Sequence, residues 1–342
     1  MKFTPRVQDL TDSGRVTLSA SPTRRTCTWR VPQLVPLRHG RVATLDPMRY
    51  GLCLPNFTKL ASPEAIDAAA AVAERLGWEA VWTTDHVVVD NSADAADYRV
   101  NFDVVETLAW VGARYPTVRL ATSVIVVPQR NAVVLAKELA TLDALSGGRV
   151  IAGIGIGWSE REFANLGMSD RFRVRGAYLE ETISLWRNLW SGSGEPFRGR
   201  FHELSDYAFG PLPVQGAALP IWIGGRVDAA LERAGRVADG YHSSAASPEA
   251  LARRVPVIRA AADAAGRPMP LLSARVRVAF AEPVRSATPR PYAMRGSAEE
   301  VAAEVAKFAD LGFEHLALFF EERTSEALLA AAERFDSEIV RA

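Results

Sequence analysis

Among the 342 residues, the side chains able to do chemistry are few and poorly placed for most reaction types. Five histidines (His39, His86, His202, His242 and His315) never fall into H-x-H or H-E-x-x-H, so a metal-dependent hydrolase lacks its ligands and no metal is expected. Cys27 and Cys53 have no metal-type spacing, and two cysteines build no disulfide framework; a reducing, cytoplasmic setting is the expectation. No G-x-S-x-G elbow or P-loop is present. Three groups remain. Asp85-His86 follows an apolar run, and an imidazole titrating near pH 6.5 suits proton transfer, or else it caps a loop. Gly224-Gly225-Arg226 precedes a helical pattern, where bare glycines let N–H groups approach a phosphate and Arg226 adds charge, or else the glycines make a tight turn. Gly153, Gly155 and Gly157 supply G-x-G-x-G, but Trp158 stands where a dinucleotide fingerprint needs its last glycine, which disfavours a Rossmann site.

These groups sit at the ends of regularly alternating elements. Apolar runs at Arg49–Leu54, Ala80–Thr84, Arg119–Val127, Val150–Ile156, Pro220–Ile223, Gly240–Ser243, Leu271–Phe280 and His315–Phe320 read as strands. Helical patterns lie between and after them: Pro63–Leu76, Asp103–Arg114, Ala132–Leu145, Gly176–Trp190, Asp228–Arg236, Pro248–Ala264, Ala298–Leu311 and Ser325–Val340. Ser62-Pro63, Ser247-Pro248 and Ser297 mark helix starts, and Gly77 and Gly312 mark helix ends. Continuously apolar strands are those of a parallel sheet covered by helices. Eight strand–helix units predict a (β/α)8 TIM barrel with insertions, whose chemistry lies at the C-terminal ends of the strands. The insertions are Gly192–Tyr207, a polar loop with a short hairpin, and Glu282–Gly296, a Pro/Arg-rich mobile loop.

The formal net charge is zero, from 40 basic and 40 acidic side chains, and no apolar stretch reaches the length of a membrane span. Neither nucleic acid nor membrane is therefore an expected partner. The neutral sum hides a +5 segment over residues 1–47, rich in Arg and Pro and without helical or strand period, against −5 for the remainder. Residues 1–47 are expected to be a disordered leader or an over-called start, with Met48 opening a folded domain at 48–342.

Taken in order, the motifs resemble the luciferase-like monooxygenase superfamily, and within it the deazaflavin (coenzyme F420) dependent oxidoreductases. The resemblance is carried by Gly51-Leu52-Cys53-Leu54-Pro55-Asn56-Phe57, Ala73-Glu74-Arg75-Leu76-Gly77-Trp78 leading to Asp85-His86, Arg119-Leu120-Ala121-Thr122-Ser123-Val124, Leu145-Ser146-Gly147-Gly148-Arg149, Gly153 to Trp158, Pro220-Ile221-Trp222-Ile223-Gly224-Gly225 and Ala238-Asp239-Gly240. It implies a bacterial-luciferase-like barrel, a homodimer, and a ring cofactor, coenzyme F420 or alternatively FMN. It further implies a non-proline cis peptide at Ser123–Val124 behind the ring, and Asp85 at the ring's polar edge. His86 is implied as acid or base near the reacting carbon, with Gly224, Gly225 and Arg226 on the cofactor phosphate and Gly155, Gly157 and Trp158 lining the same site.

Two departures matter. Sugar-phosphate dehydrogenases of the superfamily carry a carboxylate where this chain has Trp158, and an aromatic a few residues past the Asp-His pair where it has Val88, Val89 and Asp90. Glu160 and Glu162 offer a replacement acid or a solvated helix face, and Arg171 to Arg175 either steers an anionic cofactor tail or pairs with Glu180 and Glu181. Asp239-Gly240 is expected to shape a turn, and Phe319-Phe320 to fill core and cavity wall. The expected activity is hydride transfer from reduced deazaflavin to an unsaturated or carbonyl-type small molecule. The alternatives are a two-component FMN monooxygenase using dioxygen and a flavin-binding barrel without turnover. A chain shortened to begin at Met48 should keep its folding and turnover; loss of either in a direct comparison would assign the leader to the enzyme.

Overall fold

The protein is described by a computed structural model over residues 48–280 and 291–342; the leader and most of the Glu282–Gly296 insertion lie outside the described residues. In chain order the elements are β1 (Arg49–Cys53), α1 (Pro63–Leu76), β2 (Ala80–Thr83), α2 (Val104–Arg114), β3 (Arg119–Thr122), β4 (Ile125–Val126), α3 (Ala132–Ser146), β5 (Val150–Gly155), α4 (Glu160–Asn165) and α5 (Ser169–Ser191). There follow β6 (Phe197–Arg198), β7 (Glu203–Leu204), β8 (Ile221–Gly224), α6 (Asp228–Val237), β9 (Gly240–Ser244), α7 (Pro248–Ala264), β10 (Leu271–Ala279), β11 (Ala293–Arg295), α8 (Ala298–Asp310), β12 (Phe313–Phe320) and α9 (Ser325–Phe335). Strands β1, β2, β3, β5, β8, β9, β10 and β12 pair in parallel in that order, and β12 pairs back to β1. The expected (β/α)8 barrel is the observed one. Among the described residues no helix is long and apolar enough to cross a membrane.

Helix ends follow their capping residues. Ser62 Oγ accepts from the N–H of Ala65, Pro63 holds the first helical position, and Gly77 closes α1 at φ +73°. Ser297 and Glu300 form a reciprocal capping box on α8. Helix α5 starts at Ser169, seven residues before the helical pattern is legible, because Arg171 anchors the first turn on the carbonyls of Pro128 and Arg130. Helix α4, too short to show a period, is held by Ser159 as cap. The Gly192–Tyr207 insertion carries the expected hairpin, β6 against β7, whose turn hangs on the Glu181 carboxylate through the N–H groups of Arg200, Phe201 and His202. In the second insertion β11 adds a short strand parallel to the end of β10, where only a loop was expected.

Alternation along each strand separates two cores. Leu272, Ala274, Val276 and Val278 of β10 and Leu316, Leu318 and Phe320 of β12 join the large cluster between sheet and helices. Cys53, Ala80, Trp82, Ala121, Ile151, Trp222 and Ala317 fill the barrel interior. Strand three is not continuous. It breaks between β3 and β4 at a cis peptide joining Ser123 and Val124, as the resemblance implied, and β4 then pairs with the end of β5. The glycines of β5 make room for that path: a Cβ at Gly153 would fall 1.7 Å from the carbonyl oxygen of Thr122, and one at Gly155 2.7 Å from Val124 Cγ2. Gly153→Ala should therefore destabilise the fold by about 1–3 kcal/mol or more, read as a lowered urea midpoint with unchanged slope.

Candidate active site

The mouth of the barrel is built from residues just past β1, β2, β4, β5 and β8 together with the upper, inward positions of β9, β10 and β12. At its base, alternation turns Cys53, Ser123, Gly155, Gly224 and Ser244 inward, a floor of small side chains over the Trp82, Trp222 and His242 layer. Gly155 and Gly224 both face Val124, and a Cβ at Gly224 would lie 3.2 Å from its Cγ1. Gly157, at φ +76°, turns the chain outward past Val126 and Phe163.

His86 stands beside this floor, buried, with Nδ1 2.9 Å from Glu162 Oε2. The other carboxylate oxygen accepts from the N–H of Val87 at 2.7 Å. The carboxylate orients the imidazole with Nδ1 as donor, leaving Nε2 toward the mouth. Burial raises the Glu162 carboxyl, but the bonds from His86 and from Val87 outweigh it and hold the group below its ordinary 4.5. Glu162 is thus the one of the two candidate acids that enters the site; Glu160 is exposed. Tyr98 packs on the His86 ring with centroids 4.1 Å apart, and Trp158, half exposed, meets it edge-on at 5.8 Å. Tyr98 is the aromatic that the sequence did not reveal. It comes from a short 3-10 turn (Ala96–Tyr98) twelve residues past His86, tied down by a bond from the Thr58 N–H to the Asp97 carbonyl.

Asp85, just past β2, has protein partners of its own. Its oxygens accept from Arg130 (2.7 Å) and from the N–H of Val126 (2.9 Å), and Arg130 also binds Asp103. So engaged and buried, the carboxylate fixes β4 and Arg130. The Arg171–Arg175 run does not pair with Glu180 or Glu181. Arg171 binds carbonyls and covers Tyr178, and Arg175 covers Phe172. Glu180 pairs instead with Arg233 and Arg236, and Glu181 with the hairpin turn and His202. Asp239 ties the strand ends as expected, accepting from the N–H of Ile221 and pairing with Arg187. Gly224-Gly225-Arg226 leads into α6, whose start has no side-chain cap, so its first N–H groups are open to an anion; a Cβ at Gly225 would lie 2.3 Å from that of Ala230. Gln129, between β4 and α3, is buried with its amide beside the Glu162 carboxylate.

A parallel barrel that opens onto an imidazole–carboxylate pair and a glycine loop ahead of a helix defines the class of protein. The luciferase-like monooxygenase family model matches residues 48–309, and the chain belongs to that family. It is 35% identical over 185 residues to the F420-dependent glucose-6-phosphate dehydrogenase of Amycolatopsis mediterranei (strain U-32), covering 52% of this chain and 53% of that protein. It is 35% identical over 136 residues to the FMNH(2)-dependent dimethylsulfone monooxygenase of Pseudomonas putida, covering 38% and 36%. The alignments thus span about half or less of these two relatives. A solved F420-dependent secondary alcohol dehydrogenase in complex with an F420-acetone adduct shares the fold, with a TM-score of 0.74 at 19% identity over 86% of this chain and 99% of that one.

Two buried groups make the fold acid-sensitive, His242 alone between pH 6.5 and 4.5 and both below that. His242, hydrogen-bonded to Ser123 and Ser273, is pushed by burial and then by the Arg275 charge from 6.5 to about 3. Its stabilisation is complete above pH 6.5 and is lost as pH falls from there towards 3. The Glu162 contribution is complete above pH 4.5 and is lost only below it. Glu162→Gln should cost about 1–3 kcal/mol at pH 7 and flatten only the limb below 4.5 in urea midpoints taken from pH 3.5 to 7.5.

Proposed function

We propose that the protein is an oxidoreductase passing hydride between coenzyme F420 and an unsaturated or carbonyl-type small molecule. The observation that carries this is the His86–Glu162 pair held beside a floor of small residues, where a planar ring can lie and a proton can be moved in the same place. A planar cofactor fits the floor, because Cys53, Ser123, Gly155, Gly224 and Ser244 together present only small groups to the mouth, and the guanidinium of Arg226, unpaired among the described residues, follows the glycine loop. When bound, a reduced deazaflavin supplies hydride from its central ring carbon. Ser123 and Val124 would hold the ring from behind, with Gly155, Gly157 and Trp158 around it. The N–H groups of Gly225 and of the first turn of α6, with Arg226, bind the phosphate.

His86 works through Nε2, giving a proton to the heteroatom of a carbonyl as hydride arrives or taking it back in reverse. Glu162 keeps Nδ1 protonated and balances the imidazolium. Trp158, in place of a carboxylate and half exposed at the mouth, favours a substrate other than a sugar phosphate. A cytoplasmic setting fits the sparse cysteines. A homodimer fits an apolar groove of about 540 Å³ between α2 and α3, lined by Val105, Ala109, Val133, Leu142, Leu145 and Phe209, with Leu145 81% exposed.

Similarity to the dimethylsulfone monooxygenase keeps FMN with dioxygen as a second reading. Spectral titration with both cofactors decides between them: deazaflavin should bind and FMN should not. Tight FMN binding with oxygen consumption would overturn the proposal. His86→Ala should then lower kcat about 10²–10⁴-fold with deazaflavin affinity unchanged.

A further inference from the structure

Among the described residues the barrel mouth holds a half-buried guanidinium, Arg275, that makes no ion pair. Along β10 the inward positions are Ser273, Arg275 and Arg277, because Leu272, Ala274, Val276 and Val278 face the helices. Arg277 and Arg295, at the rim, share the carboxylate of Glu321. Arg275 lies one step deeper, and among the described residues no carboxylate is within ion-pair reach of it. Its guanidinium is flanked by the rings of Phe57 (5.2 Å) and Phe319 (5.1 Å), and one N–H reaches the carbonyl oxygen of Ser123 at 3.5 Å. The ionisable groups beside it are the Cys53 thiol, which burial raises to about 11 despite the neighbouring cation, and the His242 imidazole, which burial and that cation hold neutral, so neither balances the charge. A guanidinium keeps its charge at any physiological pH and carries five donors, of which this one uses few. Holding it in a half-buried aromatic slot without an anion is unfavourable unless a ligand brings the anion.

The slot belongs to the reaction site. Phe57 stacks on Tyr98 (5.5 Å, 14°) and Tyr98 packs on His86, so one aromatic wall has the imidazole at one end and Arg275 with Phe319 at the other. The glycine loop before α6 leaves from β8, whereas the wall rises from the β1, β10 and β12 side.

We propose that Arg275 is the substrate's anchor, and that the substrate is a small unsaturated or carbonyl compound bearing a carboxylate. The carboxylate pairs with the guanidinium between Phe57 and Phe319, and the apolar body lies along Phe57 and Tyr98 with its reducible group toward His86. One cation matches a monoanion and would leave a phosphate dianion half neutralised; the planar fork matches a carboxylate in two parallel bonds. The orientation toward His86 rests on the hydride-transfer proposal, whereas the anion site stands by itself.

The test is calorimetric titration of the full-length protein with benzoate, benzamide and inorganic phosphate, each with and without coenzyme F420. The same titrations are run on Arg275→Met, which keeps bulk between the rings, and on Arg275→Lys. Benzoate is expected to bind at least tenfold more tightly than benzamide or phosphate. Arg275→Met should abolish that preference, Arg275→Lys should retain part of it, and both should bind deazaflavin within about twofold of wild type. Equal binding of benzoate and benzamide, tighter binding of phosphate, or a preference that survives in Arg275→Met would overturn the proposal. So would a loss of deazaflavin affinity in Arg275→Met, which would give the guanidinium to the cofactor. Failure of the wild-type protein to bind deazaflavin, with benzoate selectivity intact, would instead sink the hydride-transfer reading and leave the anion site standing.

Discussion

Close approach between the third and fourth barrel strands is the constraint on which the site depends. From Gly153 onward every second residue of β5 and its exit is glycine, and the missing Cβ atoms at 153, 155 and 157 are the space taken by Thr122, Val124 and Val126. A side chain at any of these would push β4 off β5. With β4 in place, the N–H of Val126 and Arg130 meet Asp85, and the turn at Gly157 delivers α4 so that Glu162 lies under His86. Three loops from three different strands are thereby brought into register by contacts that are steric before they are polar.

Much of this was legible in the residues. Capping serines and αL glycines bounded α1, α7 and α8 well, since those signals are local. The Asp-His pair and the glycine loops were visible because they interrupt an apolar run. What could not be read was anything set by partners distant in sequence. No local feature announces that Arg130, forty-five residues on, will pair with Asp85. Glu162 could not be told from Glu160 because α4 spans fewer than two turns and shows no period. Tyr98 stacks on His86 only through the fold of its loop. Arg275 did have a signal: in Ser273-Ala274-Arg275-Val276-Arg277 the strand period places both arginines on the interior face, an unusual place for a cation.

Beneath the floor the interior is more polar than a barrel core commonly is. His242 lies flat on Trp82 at 4.5 Å, with its two nitrogens on Ser123 and Ser273, and Ser273 reaches on to His315. Both imidazoles are held neutral by burial, so the layer supplies directional hydrogen bonds without adding charge under the ring site. It fixes the Ser123 hydroxyl from below, while Arg275 touches the same residue's carbonyl from above.

The double grip of Glu162 has a kinetic meaning. One carboxylate holds both the imidazole and the peptide that follows it, so the ring cannot swing away from the mouth without also releasing the Val87 N–H. Rotamer freedom that a surface histidine would lose on meeting its substrate is here surrendered during folding. If His86 moves a proton, as proposed, it meets its ligand already in place.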